Sequence, residues 1–434
     1  MGLDELPALR QAATNGAVDG PICHHPPMSG TRVLAIIQAG GAGNRMDVLT
    51  RERAKPSLPV AGVYQLIDFS LTSLSHSGIS DVWLSVQYHG TSMEEQVANG
   101  RPWDLDRTRG GLRLLMPEEG TGSADQEGFA RGNADELFRV RDRIRRHAPE
   151  VLLVMSADHV YRFDFDELVR IHLARGDECT VVTTRVEPAD AGNHAVLTVA
   201  DDRVVEVDYK PHDPDQGLVA AEIFAYDPAA LIEVLEELHR ELGPAAEQGY
   251  TGLGDFGEHL LPRLVARGRT GAHQLAGYWR DLGQPHYYLR AHRELLRDDL
   301  GVLNDPAWPI LTRHTQRGPA RLLAGAEAID SMLSSGCVVA GRVERSVLGP
   351  GVRVEPGARI TDSVIFADVV VEADALVAGA IVDEHCRVGR GARVGSVSSD
   401  LDDNDDIVLL GQDSVIAAGA EVARGARLEP GGSA

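Results

Sequence analysis

The chain has 434 residues with a formal net charge of −23, and hydrophobic residues make up 43% of it. This length allows two or three domains with a sizeable core, and the acidic balance disfavours partners such as nucleic acid or anionic membranes. No apolar run approaches the roughly 18 residues of a membrane span, and the four cysteines form no Cys-x-x-Cys pair, so we expect buried thiols in a cytoplasmic protein.

Residues 1–31 are expected to form a flexible tail. They contain Gly, Pro, Ala and His without a continuous apolar segment, so they do not have the pattern of a signal peptide. Cys23-His24-His25 offers metal-ligating side chains, but no partner ligands are visible beside it. A disordered tail is therefore the preferred interpretation.

The first predicted strand runs directly into a glycine-rich loop. Val33–Ile37 is an apolar run typical of a strand that is buried on both faces. Backbone N–H groups in such a loop can approach an anion closely, and Arg45 could clamp phosphate oxygens with its guanidinium. A tight turn with a surface arginine is the alternative, because a glycine-rich loop alone is a weak signal. The loop residues are Ala39, Gly40, Gly41 and Gly43.

Apolar runs alternate with helical patterns through residues 32–295. This alternation predicts an α/β domain with a doubly wound, mostly parallel sheet, in which ligands bind at the carboxyl ends of the strands. Pro228–Leu242 is the clearest helix, with Asp227 as its N-cap and Gly243 beyond its end. The other predicted elements are the strands Val82–Val86, Val151–Met155 and Thr180–Thr184 and the helices Asp135–Arg146 and Asp166–Leu173.

Further charged residues occur where this topology would bring them to the loop. Lys55 could add a second positive charge for phosphates, and Gly132 precedes a helix whose N-terminus could face an anion. Asp158 follows an apolar strand and Asp281 follows aromatic residues, so two carboxylates are available for Mg²⁺. Each residue alone could also be a solvated lysine, a surface carboxylate or a cap. His159 is expected to be structural rather than a metal ligand.

Short, glycine-rich β segments replace the helical pattern in the C-terminal part of the chain. Single apolar residues recur there at steps of six, six and five, so that Leu348, Ile365 and Val382 are 17 residues apart. This hexapeptide periodicity predicts a parallel β-helix over residues 329–434, after a linker over residues 296–328. An acidic stretch at residues 400–406 interrupts the repeat and is expected to be a solvated loop rather than a calcium site. The apolar positions are Leu348, Val354, Ile360, Ile365, Val371, Val377, Val382, Val388, Val394, Ile416, Val422 and Leu428.

The motifs in this order resemble those of the ADP-glucose pyrophosphorylases, within the nucleoside-diphosphate-sugar pyrophosphorylase family. The resemblance runs from about Arg32 to the C-terminus. It implies a nucleotidyltransferase domain over residues 32–295, followed by a left-handed β-helix. The motifs that carry it are Gly40–Arg45, Arg53–Pro56, Leu66–Phe69, Gln87–Tyr88, Asp158–Tyr161, Lys210–Pro211, Asp255–Gly257, Tyr278–Asp281 and Trp308–Ile310.

The resemblance implies a reaction in which an oxygen of a sugar 1-phosphate attacks the α-phosphorus of a nucleoside triphosphate and pyrophosphate leaves. ATP and glucose 1-phosphate are the default substrates, as in glycogen synthesis. The implied catalytic residues are Arg45 and Lys55, which would hold the triphosphate, and Asp158, which with Asp281 would hold Mg²⁺. The implied nucleotide site contains Ala39, Gly40, Gly41, Gly43, Glu118 and Gly132, and the implied sugar-phosphate site contains Ala195, Tyr209, Lys210 and Glu222.

The chain departs from the family pattern mainly at the positions that read the sugar and the base. Because the phosphate and metal positions are kept, we favour retained nucleotidyl transfer with altered selectivity. A carboxylate pair at residues 118 and 119 would suit guanine better than adenine, since carboxylates only accept hydrogen bonds. The departures are Tyr209 for Glu, His194-Ala195-Val196 for Phe-Gly-Val, Ala220-Ala221-Glu222 for Ser-Met-Gly, Glu118-Glu119 for Gln-Gln, Gln65 for Arg and Ala157 for Gly.

Two other hypotheses remain open at this point. The altered sugar pocket is compatible with a catalytically weakened regulatory paralogue or sensor that binds sugar phosphates, although Arg45, Asp158 and Asp281 are retained. An acyltransferase activity of the β-helix would need a catalytic histidine, for which His385 is the candidate in the coils. The resemblance also implies a homo-oligomer, tetramer or dimer, and a metabolite effector site that the β-helix helps to form.

Overall fold

A computed structural model describes residues 30–41, 43–117, 128–246, 250–297, 300–314, 316–396 and 403–434 of the chain. Ala42, Glu118 and most of the predicted tail lie outside these ranges. The described residues form an α/β domain followed by a β-helix of stacked short strands.

The α/β domain is built on one nine-stranded sheet. The strands of the domain are β1 (Val33–Ala39), β2 (Pro59–Val60), β3 (Tyr64–Gln65), β4 (Asp81–Val86), β5 (Gly111–Leu115), β6 (Val151–Ser156), β7 (His159–Tyr161), β8 (Cys179–Arg185), β9 (Ala195–Ala200), β10 (Arg203–Tyr209), β11 (Leu218–Tyr226), β12 (Thr270–Gln274) and β13 (Trp279–Asp281). The large sheet has the order β5-β4-β1-β6-β11-β8-β12-β10-β9, and β10 and β11 run against the other strands. The predicted doubly wound, mostly parallel sheet is confirmed.

Helices cover both faces of this sheet, because successive side chains of a strand point to opposite sides. The helices are α1 (Leu66–His76), α2 (Gly90–Val97), α3 (Asn133–His147), α4 (Phe165–Arg175), α5 (Pro188–Ala191), α6 (Pro228–Leu242), α7 (Leu261–Ala266) and α8 (Pro285–Leu295). Along β1, Ala35 and Ile37 pack with apolar residues of α1, α2 and α4. Leu34 and Ile36 pack on the other face with residues of α3, α6 and α7.

Local capping fixes the helix ends that the sequence predicts best. The helix Pro228–Leu242 is confirmed with both predicted ends, and the Asp227 Oδ1 atom accepts the backbone N–H of Ala230 at 2.8 Å. α4 is longer than predicted at both ends. Its N-cap is Asp164, so it begins one residue earlier than predicted, and it ends at Arg175 because Gly176 adopts a left-handed φ of +61°.

The C-terminal domain contains three six-stranded parallel sheets. Successive coils of the chain each contribute one strand to every sheet, and the stacked coils form the left-handed β-helix. The first sheet contains β14 (Arg321–Leu322), β17 (Val338–Val339), β20 (Arg353–Val354), β23 (Val370–Val371), β26 (Arg387–Val388) and β29 (Val415–Ile416). The second contains β15 (Glu327–Ile329), β18 (Arg342–Glu344), β21 (Arg359–Thr361), β24 (Leu376–Ala378), β27 (Arg393–Gly395) and β30 (Glu421–Val422). The third contains β16 (Met332–Leu333), β19 (Val347–Leu348), β22 (Val364–Ile365), β25 (Ala380–Val382), β28 (Val408–Leu410) and β31 (Arg427–Leu428).

The periodic apolar residues form the interior of the β-helix, as the 17-residue repeat predicts. Val354, Val371, Val388 and Ile416 stand in register on successive coils of the first sheet and are buried together. The stacked strands begin at Arg321, so the first coil takes up the last part of the segment predicted as a linker. The apolar residues of that coil, Leu322, Leu323 and Ile329, are exposed, and the six-six-five spacing was recognised only from Leu348 onwards, so this coil was missed.

The two domains share a continuous apolar cluster. Leu58 and Val60 of the segment after the glycine-rich loop, with Tyr288 of α8, pack against Val364 and Ile381 of the β-helix, and these residues are buried. The lysine-bearing segment of the α/β domain therefore rests directly on the β-helix.

Cys179, Cys337 and Cys386 are buried and unpaired, as expected. Burial raises the pKa of the Cys386 thiol to about 12, which keeps this sulfur protonated and unreactive. Among the described helices, none is long and apolar enough to cross a membrane.

Candidate active site

A cavity of about 360 Å³ opens at the carboxyl ends of β1 and β6. This is the edge of the sheet where an α/β fold places its ligands. Most of the predicted site residues line it, although they come from widely separated parts of the chain. They are Ala39, Gly40, Gly41, Arg45, Lys55, Gly132, Asp158, Tyr209, Lys210 and Glu222.

The glycines of the loop after β1 have different structural roles. At Gly40 a Cβ atom would lie 2.4 Å from the Gln87 Nε2 atom, so a side chain there would require the Gln87 amide to move. Gly41 faces open space, where a ligand can reach the backbone. Gly43 does not line the cavity. It adopts a left-handed φ of +69°, and its carbonyl accepts the Thr50 hydroxyl at 2.9 Å, so it shapes the loop from behind.

Arg45 extends this loop at the mouth of the cavity. Its side chain is exposed and makes no ion pair with any residue that the structure describes. An unengaged guanidinium at this position can turn towards an anion without breaking an internal contact.

Lys55 is buried at the floor of the cavity between two carboxylates. Its Nζ atom lies 2.5 Å from Asp158 Oδ2 and 3.8 Å from Asp281 Oδ1, and 8% of the residue is exposed. Burial opposes the positive charge, but Asp158 and Asp281 outweigh it and raise the pKa of Lys55 above its ordinary value. Lys55 is therefore a permanent cation at neutral pH.

Both lysines of the chain line this cavity. The chain has 42 lysine and arginine residues, of which only Lys55 and Lys210 are lysines, and both line this cavity. A lysine ammonium is a compact point charge, whereas an arginine guanidinium is a planar fork. The chain thus uses the compact cation only here.

Asp158, His159 and Asp281 form the group that can hold a metal ion. β7 pairs with β13 in a register that places Asp281 opposite His159, next to Asp158. The ligand atoms of the three side chains all lie within 4.8 Å of one another. The His159 Nε2 atom lies 3.3 Å from Asp158 Oδ1, so a histidine that the sequence analysis took as structural takes part in the group.

The donor set of this group fits a divalent cation. Asp281 Oδ1 is buried and accepts no hydrogen bond from any described residue, so one carboxylate oxygen is left for a ligand. The hydroxyl of Ser156 donates to Asp158 Oδ1. Burial works against the charge of Asp158, but Lys55 and His159 hold the pKa of this carboxyl well below its usual range. Two ionised carboxylates with phosphate oxygens from a substrate are the usual ligands of Mg²⁺.

Tyr209 and Lys210 form the opposite end of the cavity. The Tyr209 hydroxyl donates to Asp255 Oδ2 at 2.9 Å, and Lys210 Nζ lies 3.6 Å from the same oxygen. The Lys210 ammonium also stands 4.6 Å from the centre of the Tyr209 ring, which is a cation–π contact. Tyr209 therefore orients the lysine, and its hydroxyl is already engaged.

Glu222 brings a carboxylate to the same end from β11. Its backbone has a left-handed φ of +54°, where pairing of β11 with β8 is irregular between Ala220 and Phe224. Burial, together with the carboxylates of Asp158 and Asp281, raises the pKa of Glu222 to about 7.

Ala195 is the predicted sugar-site residue that does not line the cavity. It is buried in β9. The neighbouring residue His194 contacts the site through its backbone, because the His194 carbonyl accepts the Lys210 backbone N–H at 2.9 Å. The His194 ring packs against Trp279, and burial lowers the pKa of that imidazole. Glu118 lies outside the described residues.

Two acidic residues of the cavity, Glu136 and Asp255, were not predicted as site residues from the sequence. Glu136, in the first turn of α3, is buried beside Gly40, and burial raises its pKa to about 7. Asp255 belongs to a quoted motif, but its contact with Tyr209 could not be read from the chain. Helical periodicity was the available signal for Glu136, since it follows Gly132 by one turn.

Comparisons with known proteins identify the families of both domains. Residues 34–298 match the nucleotidyl transferase family, and residues 319–406 match the GlmU-like C-terminal hexapeptide family. A glucose-1-phosphate adenylyltransferase of Thermomicrobium roseum is 35% identical over 92% of this chain and 93% of its own length. Enzymes with the same name from Fusobacterium nucleatum and Clostridium acetobutylicum are 31% and 32% identical, each over 75% of this chain. They are covered over 83% and 84% of their own lengths. The chain belongs to the nucleotidyl transferase family, among the relatives of the glucose-1-phosphate adenylyltransferases.

Proposed function

We propose that this protein transfers the nucleotidyl group of a nucleoside triphosphate, ATP, to a hexose 1-phosphate such as glucose 1-phosphate, and releases pyrophosphate. The observation that carries the proposal is the placement of both lysines of the chain in one cavity, which Asp158 also lines, with Asp281 3.8 Å from Lys55 behind it. Two phosphorylated substrates need two separate cationic positions, and a metal needs the carboxylates. The names of the relatives support the choice of substrates.

Each end of the cavity has a distinct task in this proposal. The loop of Gly40 and Gly41 exposes backbone N–H groups to the triphosphate, while Arg45 and Lys55 neutralise its charge. Lys210 holds the phosphate of the sugar, and Tyr209 keeps its ammonium in place. Catalysis then consists of aligning the attacking phosphate oxygen with the α-phosphorus and stabilising the charge on the leaving pyrophosphate.

Asp158 and Asp281 would hold Mg²⁺ in this site. The ion would supply further neutralisation of the phosphate charge when bound. Lys55 shares both carboxylates with the proposed metal site, so the positive charge of this lysine also limits their mutual repulsion.

A pyrophosphate-release assay with paired substrates tests the proposal. We expect release with ATP, a hexose 1-phosphate and Mg²⁺, and none when either substrate is left out. GTP is included because of the hypothesis on residues 118 and 119, and a clear preference for ATP would end that hypothesis. Absence of release with every pair, alongside measurable binding of sugar phosphates, would favour the sensor hypothesis instead.

Reductive methylation provides an independent measure of where the substrates bind. Lys55 and Lys210 are the two lysines of the chain, so mass spectrometry of two peptides follows both side-chain amines. We expect the sugar 1-phosphate to protect Lys210, whose side chain is half-exposed, whereas buried Lys55 should react slowly with or without substrates. Equal methylation of Lys210 with and without the sugar 1-phosphate would contradict the assignment of the sugar-phosphate site.

The assembly and cellular setting extend the proposal. We infer a cytoplasmic homo-oligomer, a tetramer or dimer, with a metabolite effector that acts through the β-helix. The contacts between the lysine-bearing segment and the β-helix support a path for such an effect. Light scattering of the purified chain tests the oligomeric state. Addition of phosphorylated metabolites to the pyrophosphate-release assay tests for an effector.

A further inference from the structure

Glu222 is a cavity carboxylate that lacks an internal partner. Asp158 is held by Lys55, and Asp255 accepts the hydroxyl of Tyr209. Glu222 makes no hydrogen bond and no ion pair with any residue in the described part of the chain, although it lines the cavity. A partly buried carboxylate without a partner is unfavourable, and it calls for a ligand group that can satisfy it.

The backbone is deformed at the position that carries this side chain. Glu222 adopts a left-handed φ of +54° between the fully buried residues Ala221 and Ile223. An L-residue with a large side chain adopts this conformation only at an energetic cost. Irregular strand pairing of this kind often re-aims a side chain beside an active site. The deformation is thus local to the residue that faces the cavity.

The charges around Glu222 favour a cation over a neutral hydrogen-bond donor. Among the carboxylates of this cavity Asp158 has Lys55 beside it and Asp255 has Lys210 beside it, whereas Glu222 forms no ion pair with any described residue. A sugar hydroxyl would supply only a hydrogen bond, whereas an ammonium would supply both a hydrogen bond and a positive charge to this carboxylate.

Glu222 also stands close to the place proposed for the sugar. Its charge acts on the Tyr209 phenol, which lies beside Lys210, and all three residues line one cavity. Tyr209 cannot replace a carboxylate as the sugar-binding group at the Lys210 end of the cavity, because its hydroxyl already donates to Asp255.

We propose that Glu222 selects a sugar 1-phosphate that carries a protonated amino group, so that the best hexose substrate of this protein is an aminohexose 1-phosphate. This inference rests on the proposed function, because it requires the sugar phosphate to bind at Lys210. The amino group then meets Glu222 and the phosphate meets the lysine.

The test compares kcat/KM for pyrophosphate release among sugar 1-phosphates with ATP and Mg²⁺. The probes are glucose 1-phosphate and its 2-amino, 3-amino, 4-amino and 6-amino derivatives. We expect at least one amino derivative to exceed glucose 1-phosphate by about tenfold, since charge-assisted hydrogen bonds are roughly twice as strong as neutral ones.

A substitution assigns this preference to Glu222. Glu222→Gln keeps the shape of the side chain and removes its charge, so the ratio of amino to neutral sugar should fall by about tenfold. Glu206→Gln is the matched control, because Glu206 is exposed on β10 and does not line the cavity, and it should leave the ratio unchanged. The wild-type ratio tests the inference by itself if Glu222→Gln does not fold.

The outcomes separate this inference from the function on which it rests. Release without an advantage for any amino derivative would overturn the inference alone. A ratio that Glu222→Gln does not change would also overturn it. No release with any sugar 1-phosphate would overturn the proposed function and, with it, this inference.

Discussion

Among single residues, Lys55 connects the proposed metal ligands with the proposed phosphate site. Its ammonium contacts the carboxylates of Asp158 and Asp281 and also lines the cavity where phosphates are expected. One buried charge therefore serves both the metal ligands and the substrate. Such a position tolerates little change, since removal of the charge leaves two carboxylates uncompensated.

Lys55→Met should lower kcat/KM by about 100- to 1,000-fold, because a charged group aimed at the reacting phosphates typically contributes about 2–4 kcal/mol. The measurement is pyrophosphate release at varied ATP concentration, with thermal unfolding as the check on folding. Lys55→Arg keeps the charge but brings a planar, bulkier group into a buried position, so we expect it to recover only part of the activity. Full activity of Lys55→Met would remove this lysine from the mechanism.

The family resemblance predicts which residues belong to the site, but it does not predict their partners. Lys55, Asp158 and Asp281 could be named from motifs, yet the register of β7 and β13 that joins Asp281 to His159 is a long-range pairing. Glu222 could likewise be named from the sequence, but the absence of a hydrogen-bond or ion-pair partner among the described residues is visible only in the structure. Glu136 was overlooked because a carboxylate in a first helical turn is usually a favourable surface residue.

At the scale of elements, capping and periodicity decide what the sequence predicts. α6 is predicted with both ends because Asp227 and Pro228 mark its start and Gly243 marks its end, and each of these signals is local. The reversed strands β10 and β11 are not predicted, since strand direction depends on partners far away in the chain. The first coil of the β-helix is missed because its apolar residues, such as Leu322 and Ile329, precede the stretch in which the regular spacing was recognised.

α8 carries a buried histidine that links pH to stability. The Nε2 atom of His292 accepts the backbone N–H of Ala61 at 3.2 Å, and its Nδ1–H donates to the Tyr288 carbonyl at 2.8 Å. Burial lowers the pKa of His292 to about 4. The folded state thus binds fewer protons than the unfolded state, whose histidine has a pKa near 6.5. The stability contributed by this group is complete above about pH 6.5 and is lost as the pH falls towards 4.

His292→Gln should reduce the loss of stability between pH 7.5 and pH 5 by roughly 2 kcal/mol, because the unfolded state no longer gains that proton. Urea unfolding at the two pH values measures the difference. His314→Gln is the control, since His314 is exposed, and it should leave the pH dependence as it is in the wild type. The same pH dependence in wild type and His292→Gln would contradict a neutral buried imidazole.

At the scale of the whole molecule, the β-helix supports the segment that carries Lys55. Arg53 is buried between the domains, and its Nη2 atom lies 2.7 Å from Asp383 Oδ1 of the β-helix. Phe366 lies under the Arg53 guanidinium at 5.7 Å. Because Arg53 is two residues before Lys55, docking of the domains and position of the lysine are physically connected.

Asp383→Asn should destabilise the protein by about 2 kcal/mol, because it removes the 2.7 Å charge-assisted contact and leaves the buried Arg53 guanidinium with only the longer contact to Glu384 at 3.4 Å. Combining Arg53→Met with Asp383→Leu should recover most of this loss, since an apolar pair needs no desolvation of charge. Urea unfolding measures both variants. Arg51→Ala is the control, because Arg51 pairs with Glu429 at an exposed site and its loss should cost less than about 1 kcal/mol. An equal effect of Asp383→Asn and Arg51→Ala would show that the buried pair has no special role.

Asp158→Asn alters both the proposed metal site and the contact to Lys55, on which nucleotidyl transfer depends in this proposal. Pyrophosphate release by Asp158→Asn is compared with that of the wild type at saturating ATP, sugar 1-phosphate and Mg²⁺. We expect kcat to fall by at least about 100-fold, because the substitution removes a charge from both the metal site and Lys55. Activity within about threefold of the wild type, with the fold intact, would contradict the proposal.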